Sequence, residues 1–400
     1  MSPKLEKIEY KPVPVRELLL EMKNLSELMI DLAYFAVLYN DRELAEEVLE
    51  LELRVDTLAY MLDMVVMIAA RDAEDAEALT GVTMVAAATD KISDAAADIA
   101  IIILKNIGIH PVLTEIFEKT EERLAKVKLT PESPFGKKKL WELDLASKTG
   151  VDIIAIRRNK EWIINPKETE ETQNGDVLIA RGTLQGIKEF KETVEGKRQV
   201  LEGFTWTKVA PLREKQFEEM VNQFVELKDT SELMINLAYS SLILNSKELA
   251  EEVQRLEEYM DELHTTFELH VLSIKAEGDD PRGFLGLIRL GIVTEKIADA
   301  AAEIAEVVLR GIDPHPILKI AIHDADETVA QALVTPNSQL VNKTLKEAKI
   351  PQKTGMWVLA LRRGAKCIRP KPETKIEAGD VLIASGYARG RNALKKMAST

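Results

Sequence analysis

Cysteine is nearly absent from this chain. Cys367 stands alone among 400 residues, which excludes an internal disulfide and any cysteine-based zinc cluster, and leads us to expect a reducing, cytoplasmic setting. Aromatic residues make up only 5%. With Ala, Leu, Ile, Glu and Lys abundant, helices are expected to dominate. No apolar run approaches the ~20 residues that cross a bilayer; Ala95–Leu104 is short and is broken by Asp98. Met1 to Val15 lacks the apolar stretch of a secretory signal. Signatures of chemistry are missing as well: no Gly-x-Gly-x-x-Gly, no phosphate loop ending in Gly-Lys-Ser/Thr, no Gly-x-Ser-x-Gly and no His-Glu-x-x-His. Catalysis would have to rest on carboxylates holding a divalent ion, so a non-enzymatic protein is expected.

Positive charge is scarce overall, at net −14, and unevenly spread. Residues 41–104 carry 15 acidic and 4 basic side chains, and 246–309 carry 15 and 6. Residues 335–400 reverse the balance, with 14 basic and 4 acidic, net +10. Broad nucleic-acid binding needs a basic face, so no nucleic-acid partner is expected.

A repeat dominates what is present. Ser26-Glu27-Leu28-Met29-Ile30 returns as Ser231 to Ile235, and Lys91 to Ala100 faces Lys296 to Ala305, each at an offset of 205 residues. The offset holds at Arg157-Arg158 and Arg362-Arg363, then becomes 204 at Gly175–Ala180 and Gly379–Ala384. Within each unit the texture changes once. From Val15 onward apolar residues recur at helical spacing, with Asn40-Asp41 and Asn245-Ser246 placed to end one helix and cap the next. Pro111 to Lys126 reads as a short fourth helix. From Thr130 onward come β-type runs, Asp152–Arg157 and Asp176–Ala180, flanked by helical stretches at Ser133–Leu145 and Thr183–Thr193. The domains expected are 14–128, 129–195, 211–333 and 334–400.

Carboxylates form a ladder on the second and third helices. Glu52 and Asp56 with Asp90 and Asp94, and in the copy Glu257 and Asp261 with Glu295 and Asp299, recur at spacings of four that put them on one helical face. Oxygen donors of this kind suit a divalent metal or iron. The same spacing also describes a solvated face, because Ile92, Ile99 and Ile103 lie opposite the acids. Glu-x-x-x-Asp followed by Asp/Glu-x-x-x-Asp within Lys-Ile-x-Asp-Ala-Ala resembles the paired motif of the PhoU family. That resemblance covers about 110 residues of each unit. It implies antiparallel three-helix bundles of regulators of phosphate uptake, some with metal clusters at these carboxylates. A full PhoU protein joins two bundles directly, whereas an α/β module separates them here. His110-Pro111 and His315-Pro316, at helix junctions, read as caps or packed residues.

The α/β module carries its own signature. Ile154-Ala155-Ile156-Arg157-Arg158, Pro166 and Gly175 to Gly182, with Leu359 to Arg363, Pro370 and Gly379 to Gly386, resemble the TrkA C-terminal domain. The resemblance implies dimerising domains that bind small ligands, cyclic di-AMP or another nucleotide among them, at a shared interface. Adjacent guanidiniums suit phosphate oxygens, which makes Arg157, Arg158, Pro166, Arg362, Arg363 and Pro370 the ligand-binding candidates.

The expected fold is therefore α+β and multidomain: two repeats, each a PhoU-like bundle followed by a small TrkA-C-like α/β domain. The expected function is regulation of potassium or other cation transport, sensing a small anionic ligand, acting on a membrane transporter or channel, and working as a homodimer. The alternative is a phosphate-signalling adaptor with metal-binding bundles.

Overall fold

A computed structural model describes residues 8–108, 110, 112, 123–145, 149–159, 161–164, 166–182, 184–195, 211–274, 280–312, 327–364, 366–368, 370, 372–387 and 390–399. The first bundle comprises α1 (Val15–Tyr39), α2 (Arg42–Ala69) and α3 (Ala73–Leu104). Its copy comprises α6 (Pro211–Leu244), α7 (Lys247–Ser273) and α8 (Pro281–Leu309). The expected helix breaks are where they should be. Asn40 adopts the left-handed conformation at φ 49°, and the Asp41 carboxylate accepts from Leu44 N at 3.0 Å. Asn245 (φ 47°) and Ser246, which accepts from Leu249 N at 3.4 Å, repeat the device. Asparagine tolerates positive φ better than most residues, and a side-chain oxygen at the N-cap satisfies a backbone N–H that the helix leaves open.

The two bundles form one compact unit, although residues between them belong elsewhere. The α3 and α8 helices pack on each other. On them Ala96, Ala100, Ala301 and Ala305 are fully buried. The contact obeys a local twofold. Tyr34 hydroxyl lies 2.8 Å from Thr294 Oγ1, and Tyr239 hydroxyl lies 2.9 Å from Thr89 Oγ1. Lys228 sits over the Tyr34 ring and Lys23 over the Tyr239 ring. Lys91 pairs with Glu303 at 2.5 Å, and Lys296 with Asp98 at 3.0 Å. Every one of these contacts is matched by its own image at the repeat offset of 205. Among the described residues no helix is long and apolar enough to cross a membrane.

The second unit holds both small modules. The first contains β1 (Arg123–Lys128), α4 (Leu140–Leu143), β2 (Val151–Arg158), β3 (Glu161–Ile164), β4 (Val177–Gly182) and α5 (Leu184–Glu195). The second contains β5 (Glu327–Leu333), α9 (Leu345–Ala348), α10 (Ile350–Thr354), β6 (Met356–Arg363), β7 (Lys366–Ile368), β8 (Val381–Tyr387) and α11 (Gly390–Ser399). The sheets run β1-β4-β2-β3 and β5-β8-β6-β7, with every neighbouring pair antiparallel. A register shift falls at the same place in each, between Ile153 and Ala155 and between Val358 and Ala360.

Two expectations need correction here. The stretch read as the end of a fourth helix is β1, whose Ala125 and Val127 alternate inward with period two and pair with β4. Residues 113–122 of that expected helix lie outside the described residues. The domain boundaries at 128 and 333 consequently move: β1 and β5 belong to the sheets, and the units divide after Thr120 and Ile322. Glycine is required where the closing helix meets the sheet. A Cβ on Gly186 would lie 2.2 Å from Thr149 O, and one on Gly390 would lie 2.0 Å from Thr354 O.

Candidate functional site

The carboxylate ladder converges in both bundles. One oxygen from each of Glu52, Asp56 and Asp94 lies within 4.8 Å of the others, and Glu257, Asp261 and Asp299 form the same group. Successive acids on α2 or α7 are one turn apart, so two from one helix meet one from its neighbour across the groove. Asp90 and Glu295 stand beside these groups, one turn back. Glu52 is pushed up to about 7 by burial and by the charges of Asp56, Asp94 and Asp90. Asp90 is pushed up to about 6 by burial, then by Asp94, Asp56 and Asp63. Glu295 reaches about 7 through burial and the charges of Asp299, Asp261 and Glu257, against the opposing Lys296. Asp56, Asp94, Glu257 and Asp299 also rise, with burial the leading cause. Mutual repulsion and burial thus outweigh the nearby Lys91 and Lys296, and a bound cation would relieve them. Asp90 Oδ1 adds a buried oxygen with no hydrogen-bond partner among the described residues. An all-oxygen donor set with an orphaned buried oxygen fits a divalent ion. The acids form a mixed face: Ile92, Ile99 and Ile103 are buried opposite them, Glu52, Asp56 and Asp90 are half-buried, and Asp94 and Asp261 are exposed.

The paired arginines divide their work. Arg158 Nε and Nη2 each donate to Asp176 at 3.0 Å, Nη1 donates to Glu170 at 3.0 Å, and Nη2 also reaches Glu171 O at 2.8 Å. Arg363 repeats this with Asp380 at 2.8 and 2.9 Å, Glu377 at 2.6 Å and Lys375 O at 2.8 Å. Asp176 and Asp380 are buried, and their carboxylates also accept from Gln173 N and Glu377 N. The Gly-Asp of each turn therefore holds both the turn and the second arginine. Arg363 and its neighbouring backbone donor hold Asp380 below the usual carboxylate range against the effect of burial. Arg157 and Arg362 sit one residue earlier on the strand, where successive side chains point to opposite faces. The two arginines of a pair cannot grip one phosphate together. Pro166 and Pro370 are half-buried.

Sequence reasoning missed a contact between the two modules and two buried polar atoms in the second. A Cβ on Gly150 would lie 3.4 Å from Gln352 Nε2, so the modules touch there. Gln352 Oε1 and Arg391 Nε are buried with no hydrogen-bond partner among the described residues. Arg391, the second residue of α11, stands where the first copy has Ile187. His110 is packed, as expected: its ring centroid is 5.1 Å from that of Phe217 and 4.8 Å from that of Phe284, and Val112 N donates to its Nδ1 at 3.2 Å. His315 lies outside the described residues.

Family models decide the assignment. The PhoU domain matches residues 19–103 and 224–308, and the TrkA-C domain matches 124–194 and 329–399. The chain is a tandem of PhoU and TrkA-C domains. Among relatives of this PhoU/TrkA-C chain, the Ktr system potassium uptake protein C of Bacillus subtilis is 35% identical over 97 residues, 24% of this chain and 43% of that protein. The probable potassium channel protein 2 of Methanocaldococcus jannaschii is 35% identical over 78 residues, 20% of this chain and 23% of that protein. The chain thus spans less than half the length of either relative. The crystal structure of PhoU from Pseudomonas aeruginosa is 17% identical, covering 74% of this chain and 96% of that one with a TM-score of 0.39.

Proposed function

We propose that this PhoU/TrkA-C tandem is a non-enzymatic, cytoplasmic regulator of potassium or other cation transport. The TrkA-C modules sense a small anionic ligand, and the bundles carry the response to a membrane transporter or channel. The names of its relatives, a potassium uptake protein and a potassium channel protein, support the transport setting. The observation that supports sensing is the contact between modules at Gly150 and Gln352, where Gln352 Oε1 is buried with no hydrogen-bond partner among the described residues. A buried polar group without a partner is costly, and a ligand supplying one relieves that cost. Calorimetric titration with cyclic di-AMP and adenine nucleotides tests this reading. Binding weakened about ten- to a hundredfold by Arg362→Ala or Gln352→Ala supports it; no binding by any of these nucleotides rejects it.

A second reading has its own observation. The converging carboxylates and the orphaned Asp90 oxygen favour a divalent cation in each bundle. Glu52, Asp56 and Asp94, with Asp90, would hold it in the first bundle, and Glu257, Asp261 and Asp299, with Glu295, in the second. A bound cation would neutralise mutual repulsion and tie adjacent helices together. Added Mn²⁺ should then raise the melting temperature of the metal-free protein, and Asp94→Asn with Asp299→Asn should abolish the rise. A rise that survives the double substitution overturns this reading.

A further inference from the structure

We propose that the second TrkA-C module docks on an anionic lipid surface through an exposed lysine ridge along its short helices. Docking of this kind requires neither the ligand nor the metal of the two readings above.

Lys343, Lys346, Lys349 and Lys353 follow one another at intervals of three, three and four residues through α9 and α10. Lys353 N donates to Lys349 O at 3.2 Å, which sets those two one turn apart. Lys375 joins them from another segment. Thr344 pairs antiparallel with Lys375, and Ile376 N donates to Lys343 O at 2.9 Å. Lys346, Lys349, Lys353 and Lys375 are exposed, and Lys343 is half-buried.

The acids of the module are largely committed elsewhere. Residues 335–400 hold four of them. Glu377 and Asp380 are bound to Arg363, and Glu347 Oε2 accepts from Thr344 N at 2.9 Å.

The first module shows that the fold does not demand this charge. Residues 130–195 hold 11 basic and 12 acidic side chains, net −1. Asp144 occupies the position of Lys349, Glu171 that of Lys375 and Trp141 that of Lys346. Sheet order and register shift are nevertheless the same in both copies. The lysines are therefore a property of the surface, added to a scaffold that folds without them.

The composition of the ridge selects the partner. All five of its cations are lysines. An ammonium is a compact charge on a flexible stem, whereas fixed recognition of phosphate or carboxylate favours the planar fork of arginine. Mobile point charges suit a fluid array of anionic headgroups. At the matching place in the first module Trp141 is 53% exposed and closely follows the exposed Lys137, Lys138 and Lys139. An amphipathic indole is a side chain enriched where protein meets the membrane–water interface. The chain's net charge of −14 does not oppose docking, because at physiological salt a charge more than about 8 Å from the surface is largely screened.

Co-sedimentation of the full chain with lipid vesicles tests the proposal, with chelator present and no nucleotide added. Vesicles of phosphatidylcholine containing about a third phosphatidylserine should retain the protein at physiological salt and release it at high salt. Pure phosphatidylcholine vesicles should not retain it. Each lysine near an anionic surface is worth about fivefold in affinity. Lys349→Asp with Lys375→Glu installs the residues that the first module carries at those positions, and should weaken binding at least about twenty-fivefold. A second pair, Lys346→Gln with Lys353→Gln, guards against misfolding of the first and should weaken binding about twenty-fivefold. Both pairs should keep the wild-type circular dichroism spectrum. No retention by the anionic vesicles, equal retention by the two vesicle types, or retention that survives both pairs overturns the proposal. Capture by polyglutamate or by duplex DNA, with none by the anionic vesicles, overturns it as well and assigns the ridge to a different partner.

Discussion

Neutralising Glu52 and Glu295 should stabilise the metal-free protein, by an amount that grows as the pH rises from about 4.5 and is complete above about 7. Both carboxyls rise from 4.5 to about 7 in the folded chain. Below pH 4.5 both groups are protonated whether the chain is folded or not. Between 4.5 and about 7 the unfolded chain releases protons that the folded chain retains, so folding stability falls through that window and the loss is complete above it. Each pKa unit corresponds to about 1.4 kcal/mol, or roughly 3 kcal/mol per site at face value. Both side chains are only half-buried, and solvent screening reduces this to about 1.5 kcal/mol each. Glu52→Gln with Glu295→Gln removes the titration while keeping the shape. In chelator-treated protein at pH 8 we expect a gain of about 3 kcal/mol, or roughly 6–12 °C in the melting temperature of the helical unit. At pH 5 the gain should shrink to a small fraction of that. Calorimetric scans at the two pH values make the comparison. An equal gain at both, or a loss at pH 8, would refute the picture of mutually repelling, half-buried carboxylates in the clusters.

Tyr34→Phe and Tyr239→Phe should each cost about 1 kcal/mol, the net worth of one neutral hydrogen bond. Urea denaturation should show the two losses to be nearly equal, since the contacts are images of each other. Arg363→Ala should destabilise its module by about 2–3 kcal/mol, because Asp380 is left buried and unpaired while the arginine itself is partly exposed. Arg362→Ala should cost under about 1 kcal/mol by the same denaturation assay. Gly390→Ala should lose about 2–3 kcal/mol, because its Cβ would fall 2.0 Å from a backbone oxygen that cannot yield cheaply. The change should be visible as an earlier transition in Trp357 fluorescence.

The repeat, the helix breaks at Asn40 and Asn245, and the carboxylate spacing were all legible because they are local. Periodicity and capping act over a few residues, and two copies allow each feature to be checked against its image. Which segments pack together was not legible. The linear order places a small module between the bundles, yet α3 and α8 pair, and the alanines that permit this are unremarkable one at a time. β1 was hidden because a six-residue strand following a helical stretch offers little period of its own. The role of Arg158 could have been found, since Arg158 with Asp176 recurs as Arg363 with Asp380. A guanidinium whose acid always accompanies it is more readily read as a structural pair than as a ligand contact.

The reciprocal contacts of Tyr34 with Thr294 and of Tyr239 with Thr89 give the helical unit a partner that dilution cannot remove. Association of its halves is an intramolecular event, governed by an effective concentration that the chain itself supplies. Two identical protomers must carry every substitution twice, on both sides of their axis. A fused pair is free of that constraint. One half can gather fourteen basic residues into its last segment, while the other half keeps a different balance and the interface between them stays as it was.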